Sequence, residues 1–314
     1  MALEAPLLTR MRLIKVGIES PKGTPFDCVQ GLQVLEPGIN WESDYQSRSD
    51  VGSYRGNSVA GVQVGLHGVC PFMTELRSNG AGGLEAGLAI LLQACGLKKT
   101  ADVYQVHSGP ADDKTISIEY WQSGDIKGLA GAASNVIFGG NTGERMMCKF
   151  SFDGNWQAPI TQTHAAFITS MVAPLTTAPM IIQSGTFTFA TESIKIASFE
   201  LDMGNIVIPR RDVAGEGGTG YYMISWTKPV LKLKMEADTV AGFDYYGRQL
   251  AATPGEVSLV LNDGTDKVTF TMPAVVSMGL KEADDKDVLF FDGEFECLHG
   301  AGNDSVKIEA DTLV

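Results

Sequence analysis

Basic side chains are in short supply in this sequence. Lysine and arginine total 24 against 37 aspartates and glutamates, for a formal net charge of −13. No Lys/Arg cluster forms a stripe that would follow phosphates, which argues against attraction to nucleic acid. An acidic wall can still serve DNA, because it repels phosphate and lets a strand pass without sticking. Cysteine is sparse as well: Cys28, Cys70, Cys95, Cys148 and Cys297 are scattered, odd in number and without a CxxC pair. That pattern fits buried free thiols in a reducing compartment rather than a disulfide framework. The histidines, His67, His107, His164 and His299, show no HxxxH spacing and no matched cysteine partner, and no GxSxG elbow surrounds a serine. No catalytic constellation emerges, so no enzymatic activity, cofactor or metal is expected. Long apolar runs are missing too. Arg10, Arg12 and Lys15 break up the N-terminal apolar residues, and nothing reaches the roughly 18 residues of a membrane span. Folding in a cytoplasm is expected, with no membrane partner.

What the chain has in excess is glycine, 36 of 314 residues, together with 13 prolines. This favours short strands joined by turns. One stretch reads as helix, ELRSNGAGGLEAGLAILLQACGL (75–97). Leu84, Leu88, Leu91, Leu92 and Cys95 recur there with the helical period. Gly96 stands where a left-handed cap is expected, so the helix is assigned to 83–96. Its other side offers only Glu85 and Gln93 among alanines. Burial on both sides is expected, against its own sheet and a second surface.

The rest of the chain alternates. TISIEYW (115–121), MMCKFSF (146–152) and VLKLKMEAD (230–238) each place apolar and polar residues on opposite faces. The expected organisation is an arm at 1–25, a first β-domain at 26–154, a linker at 155–186 and a second β-domain at 187–314. The segment 43–61 is polar and too long for a hairpin turn, so it is expected to be a functional loop. Between Asn155 and Thr191 there is no charged side chain, which suggests extended chain lying in a protein groove. TISIEYWQSGDIKG (115–128) and EVSLVLNDGTDKVTF (256–270) share strand, glycine turn and strand about 140 residues apart. A short helix candidate at 243–252 answers the first helix, so the architecture reads as duplicated.

Two motifs invite chemistry. GEGGTG (215–220) satisfies GxGxxG, but a strand-like YYMISW follows it, so no helix N-terminus faces the glycines and a hairpin tip is favoured. The acidic group Glu282, Asp284, Asp285 and Asp287 lacks the spacing of a calcium loop and reads as solvated.

Four pieces in order carry a resemblance: Glu75-Leu76-Arg77, Ala94-Cys95-Gly96, Gly131-Ala132-Ala133-Ser134-Asn135 and Phe150-Ser151-Phe152-Asp153-Gly154. Together they resemble the major tail tube proteins of long non-contractile-tailed bacteriophages. Ser78-Asn79-Gly80 departs from that pattern, where glycine is expected sooner, and the second half matches by architecture more than by motif. The resemblance implies a mainly β fold, with two tandem tail-tube-type β-sandwich or barrel domains, each with a flanking α-helix. It implies a structural virion protein that stacks in rings into a hollow tube for DNA delivery. Its partners would be copies of itself, a tape measure protein and tail-end proteins. With two copies of the fold per chain, trimeric rings of pseudo-sixfold symmetry are expected over hexameric ones. Location would be the virion, after assembly in the host cytoplasm. Leu84, Leu88, Leu91 and Leu92 are candidate subunit contacts, and Arg48, Asp50, Tyr54 and Arg55 candidate contacts between rings. The alternative is a virion β-sandwich that binds receptor or carbohydrate through Trp41, Trp156 and Tyr221.

Overall fold

Alternating sequence becomes strand along most of the chain in the computed structural model, which describes residues 12–48, 59–107, 109, 111–300, 302 and 304–313. The first half runs β1 (Arg12–Ile18), β2 (Gln30–Leu32), β3 (Asn40–Arg48), β4 (Val59–Glu75), α1 (Ala86–Ala94), β5 (Leu97–Thr100), β6 (Val103–Val106), β7 (Ile116–Gln122), β8 (Asp125–Asn141) and β9 (Met147–Thr161). After α2 (His164–Thr169), the second half runs β10 (Ile181–Phe189), β11 (Glu192–Ser193), β12 (Ile196–Asp202), β13 (Asn205–Arg211), β14 (Thr219–Thr227), β15 (Val230–Glu236) and α3 (Tyr245–Leu250). It ends with β16 (Gly255–Asn262), β17 (Asp266–Asp285), β18 (Val288–Leu298) and β19 (Lys307–Thr312). The fold is mainly β, and its strands pair antiparallel without closing a barrel among the described residues.

The strand pairing repeats. In the first half β1 pairs with β7, β7 with β8, β8 with β9 and β9 with β4. In the second half β10 pairs with β16, β16 with β17, β17 with β18 and β18 with β15. The helices α1 and α3 occupy the same place in the two sequences of elements, each ahead of the β7 or β16 strand. The long strands β8 and β17 pair with β7 or β16 near one end only, while β9 runs along β8 from Asp125 to Gly139 and β18 along β17 from Ala274 to Asp285.

The halves share one core. Phe138 of β8 meets Phe270 of β17 edge to face at 5.2 Å, and Phe270 lies 5.8 Å from Phe199 of β12. A second aromatic group, Phe72, Phe150 and Phe152, fills the first half with ring centroids 5.6–5.8 Å apart. Each such side chain removes 150–250 Å² from water, so these rings dominate the burial that fixes the layers. Strand β19 crosses back to pair with β6, tying the C-terminal segment to the first half. All five cysteines are buried free thiols.

Several boundaries differ from the sequence expectation. Within 1–25, residues 12–18 are not an arm: β1 lies between β2 and β7, and Ile14 and Val16 are fully buried. Residues 1–11 lie outside the described set. The linker 155–186 contains the end of β9, all of α2 and the start of β10. Its middle does run extended along the body. Val172 brackets Gly31 and Val29 by backbone hydrogen bonds of 3.0 and 2.7 Å, and Met180 N donates to Leu76 O at 2.8 Å. Of the segment 43–61, residues 43–48 and 59–61 are strand, since β3 pairs with β4 from Asn40–Val69 to Arg48–Val59, and residues 49–58 lie outside the described set. Nearly every residue of β3 is exposed, so no apolar alternation was required of it, and that hid the strand.

Candidate assembly surfaces

Following the pairings outward from β8 gives a continuous strip with the order β3, β4, β9, β8, β12, β15, β18, β17. The first four strands and the last four occupy equivalent places in the repeat. The two sets meet where β8 pairs with β12, through Asn141–Ser198 to Ile137–Asp202. One face of the strip is core: Cys148, Phe150, Phe199, Leu201, Leu231, Leu233, Phe291 and Phe295 are buried. The other face is polar. Lys149 and Ser151 of β9, Lys232 of β15, and Asp292 and Glu294 of β18 are exposed there, with Asp153, Glu200, Asp202 and Glu296 partly covered beside them.

Cross-strand neighbours order those charges. Lys232 stands between Glu200 and Glu294 in the register and donates to Glu200 at 3.0 Å. That hydrogen bond, with the charge of Glu200, raises the lysine above its ordinary pKa. Lys234 is raised in the same way by a 2.9 Å hydrogen bond to Asp285. Burial pushes the Asp153 carboxyl up, with His67 pulling it down and Glu42 adding to the rise.

Three hairpins carry exposed apolar residues. On β3–β4, Trp41, Tyr45 and Val62 are at least half exposed, and Trp41 stacks on Trp156 of β9 at 6.1 Å. On β13–β14, Ile206 lies opposite Trp226; these are 54% and 64% exposed, and Ile208 on the same face is also exposed. On β17–β18, Met278, Val288 and Leu289 are exposed. Scattered apolar residues are ordinary on a surface, and only contiguous apolar patches larger than a few hundred Å² mark interaction sites as a rule.

The helix leucines are placed elsewhere. Leu88, Leu91 and Leu92 have no exposed surface and Leu84 is 3% exposed, all within the chain's own core. Leu84 precedes the helix, which spans Ala86–Ala94 rather than 83–96. Burial on both sides is correct, but the second cover belongs to the same chain, so the four leucines offer no surface to a neighbour. One side meets β1, β2, β7 and β8. Beyond it, the Leu175 amide donates to Glu85 at 3.3 Å, and Asn205 Nδ2 donates to Cys95 O at 2.8 Å. Gly96 caps the helix with φ +78, as its sequence position suggests. Of the loop candidates, Arg48 is the exposed last residue of β3. Asp50, Tyr54 and Arg55 lie outside the described residues.

The remaining motifs find plain places. GEGGTG forms the turn between β13 and β14, and a strand follows it. The acidic group at 282–287 sits at the β17–β18 hairpin end, and among the described residues no cluster of His, Cys, Asp or Glu is arranged to hold a metal. No described helix is long and apolar enough to cross a membrane. Tyr221 is covered by Arg210 at 5.1 Å and Lys22 at 5.7 Å, while the exposed Trp41 stacks on Trp156, which is half-buried against the core.

Neither protein-family models nor curated proteins give a match to this chain. The fold and its surfaces therefore carry the functional argument. Sequence reasoning missed the edge of β17 beyond Val275, which no strand among the described residues takes up, and the apolar face of β13–β14. The unbroken apolar run Ile206-Val207-Ile208 was the signal for the second, since it places apolar residues on both faces of the strand.

Proposed function

We propose that the chain is the structural subunit of a phage tail tube. In this reading it self-associates into rings that stack around a lumen through which DNA is delivered. The observation that carries the reading is the strip: its two strand sets repeat within one chain, and among the described residues no further strand pairs with the outer side of β3 or, beyond Val275, with the corresponding side of β17. A sheet with such ends extends by adding another copy, and closing the sheet removes the edges altogether. Two sets per chain favour trimeric rings with pseudo-sixfold symmetry over hexamers.

The polar face of the strip would line the lumen. Asp153, Glu200, Asp202, Asp285, Asp292, Glu294 and Glu296 outnumber Lys149, Lys232, Lys234 and Lys281 on it, so phosphate would be repelled and DNA would slide. The exposed faces of β3–β4 and β13–β14 suit contacts between stacked rings. A tape measure protein within the lumen and tail-end proteins at the termini would complete the assembly, in a virion put together in a bacterial cytoplasm. Native mass spectrometry of the assembled protein tests the ring: three chains per ring are expected, and six would overturn the trimer.

The stacked pair Trp41–Trp156 favours one second reading, a virion protein that binds carbohydrate on an aromatic platform. Saturable glycan binding by the monomer, lost in Trp41→Ala, would support that reading instead.

A further inference from the structure

The junction between the halves supplies a template for the contact between copies. Strand β8 holds β9 on one side along Asp125–Gly139, and on its other side β7 gives way to β12 from Ile137 onward. Strand β17 is built alike from Ala274 onward, with β19 taking the earlier part, Asp266–Thr271. It holds β18 on one side from Ala274 to Asp285, and on its other side β16 ends its pairing at Val275. Beyond Val275 no strand among the described residues takes the place that β12 takes on β8. At the far end of the strip, β12's counterpart is the stretch through Leu35 and β3. Leu35 and Met73 exchange backbone hydrogen bonds of 2.7 and 3.0 Å on the β4 side. No described strand pairs with the outer side of that stretch, though the ladder there is interrupted at Pro37, which has no N–H and whose carbonyl accepts from Arg12 Nη1 at 2.6 Å.

We infer that residues 276–285 of β17 in one copy pair antiparallel with the outer edge of residues 33–42 in a second copy, as β8 pairs with β12 inside the chain. The inference rests on the self-assembly reading above and names its surface. The two edges are different surfaces, so the contact is head to tail and leaves a fresh edge of each kind on every added copy. Such an interface generates a ring when its rotation closes and a filament when it does not, and it does not produce an isolated twofold dimer. Lys281, Glu282, Asp284 and Asp285 along the β17 edge blunt indiscriminate strand pairing, as charges on natural edge strands do. An open groove beside the receiving edge is lined by Leu32, Val34 and Leu35 together with the charged Arg12, Glu75 and Arg77.

Cysteine substitution tests the contact in the full chain. One set of variants carries Gln33→Cys or Leu35→Cys, and the other carries Lys281→Cys or Ala283→Cys. Native cysteines are buried, so mild oxidation reads the introduced thiols, with the unsubstituted protein as control. Covalent dimers are expected when a variant of one set is mixed with a variant of the other, and not from any variant alone. If particles assemble but no mixture cross-links, or if single variants cross-link with themselves, the edge assignment fails while the tube reading stands. If no particles form at any concentration, both fail.

Discussion

Leu201 of β12 lies directly across from Phe138 of β8, and neither has exposed surface. At this pair the sheets of the two halves become one and the cores merge. Large-to-small changes in such a site cost the lost transfer energy plus a cavity, about 3–5 kcal/mol for Phe→Ala. Phe138→Ala is therefore expected to lower stability by that amount while urea unfolding stays a single transition. Two separate transitions would show halves that fold independently.

Leu88 has no exposed surface and packs inside its own subunit. Leu88→Ala is expected to cost about 2–5 kcal/mol in the isolated subunit. Leu88→Asp should abolish folding, rather than leave soluble subunits that fail to assemble. Well-folded Leu88→Asp monomers by circular dichroism would contradict this placement.

Glu75 and Glu85 should respond to pH in opposite senses. Burial alone would raise Glu75, but hydrogen bonds and charge from Arg77 and then Arg145 win and hold its carboxyl below the usual range. Its contribution is present above the unfolded carboxylate pKa of about 4.3 and is lost as pH falls through the lower folded value. Glu75→Gln is expected to cost about 2 kcal/mol at pH 7, a gap that closes below about pH 4. Burial raises Glu85, opposed by the Leu175 amide and Arg77 and reinforced by Glu75. Its charged form therefore costs stability as pH rises through the window above the unfolded value. Glu85→Gln should hold or gain stability at pH 7 and lose that advantage at pH 4. Urea midpoints across pH check both variants.

Residues 46–58 include the exposed outer part of the β3–β4 hairpin, where Gln46, Ser47 and Arg48 are exposed. Deleting 46–58 is expected to leave the melting temperature within a few degrees and to stop tube elongation. Full-length tubes from the deletion variant would remove the hairpin from the contact between rings.

Legibility in the sequence followed burial. Strands with one wet face announced themselves: Cys148, Phe150 and Phe152 against Lys149 and Ser151 became β9, and Leu231, Leu233 and Met235 against Lys232 and Lys234 became β15. The helix was legible because its leucines keep one period, although the identity of its second cover was not. Composition shows that a face is dry without showing whose atoms dry it. Strand β3 was illegible because both its faces are wet, so Trp41 and Tyr45 carry no alternation. The end of β17 was illegible for another reason: an edge without a partner is a property of backbone groups, and Glu282, Asp284 and Asp285 read as a solvated acidic group although they continue the strand.

Imaging tests the central claim most directly. Concentrated, purified protein viewed by negative stain should show hollow rods of uniform width with a regular ring repeat. Single particles at every concentration would contradict a tube-forming subunit.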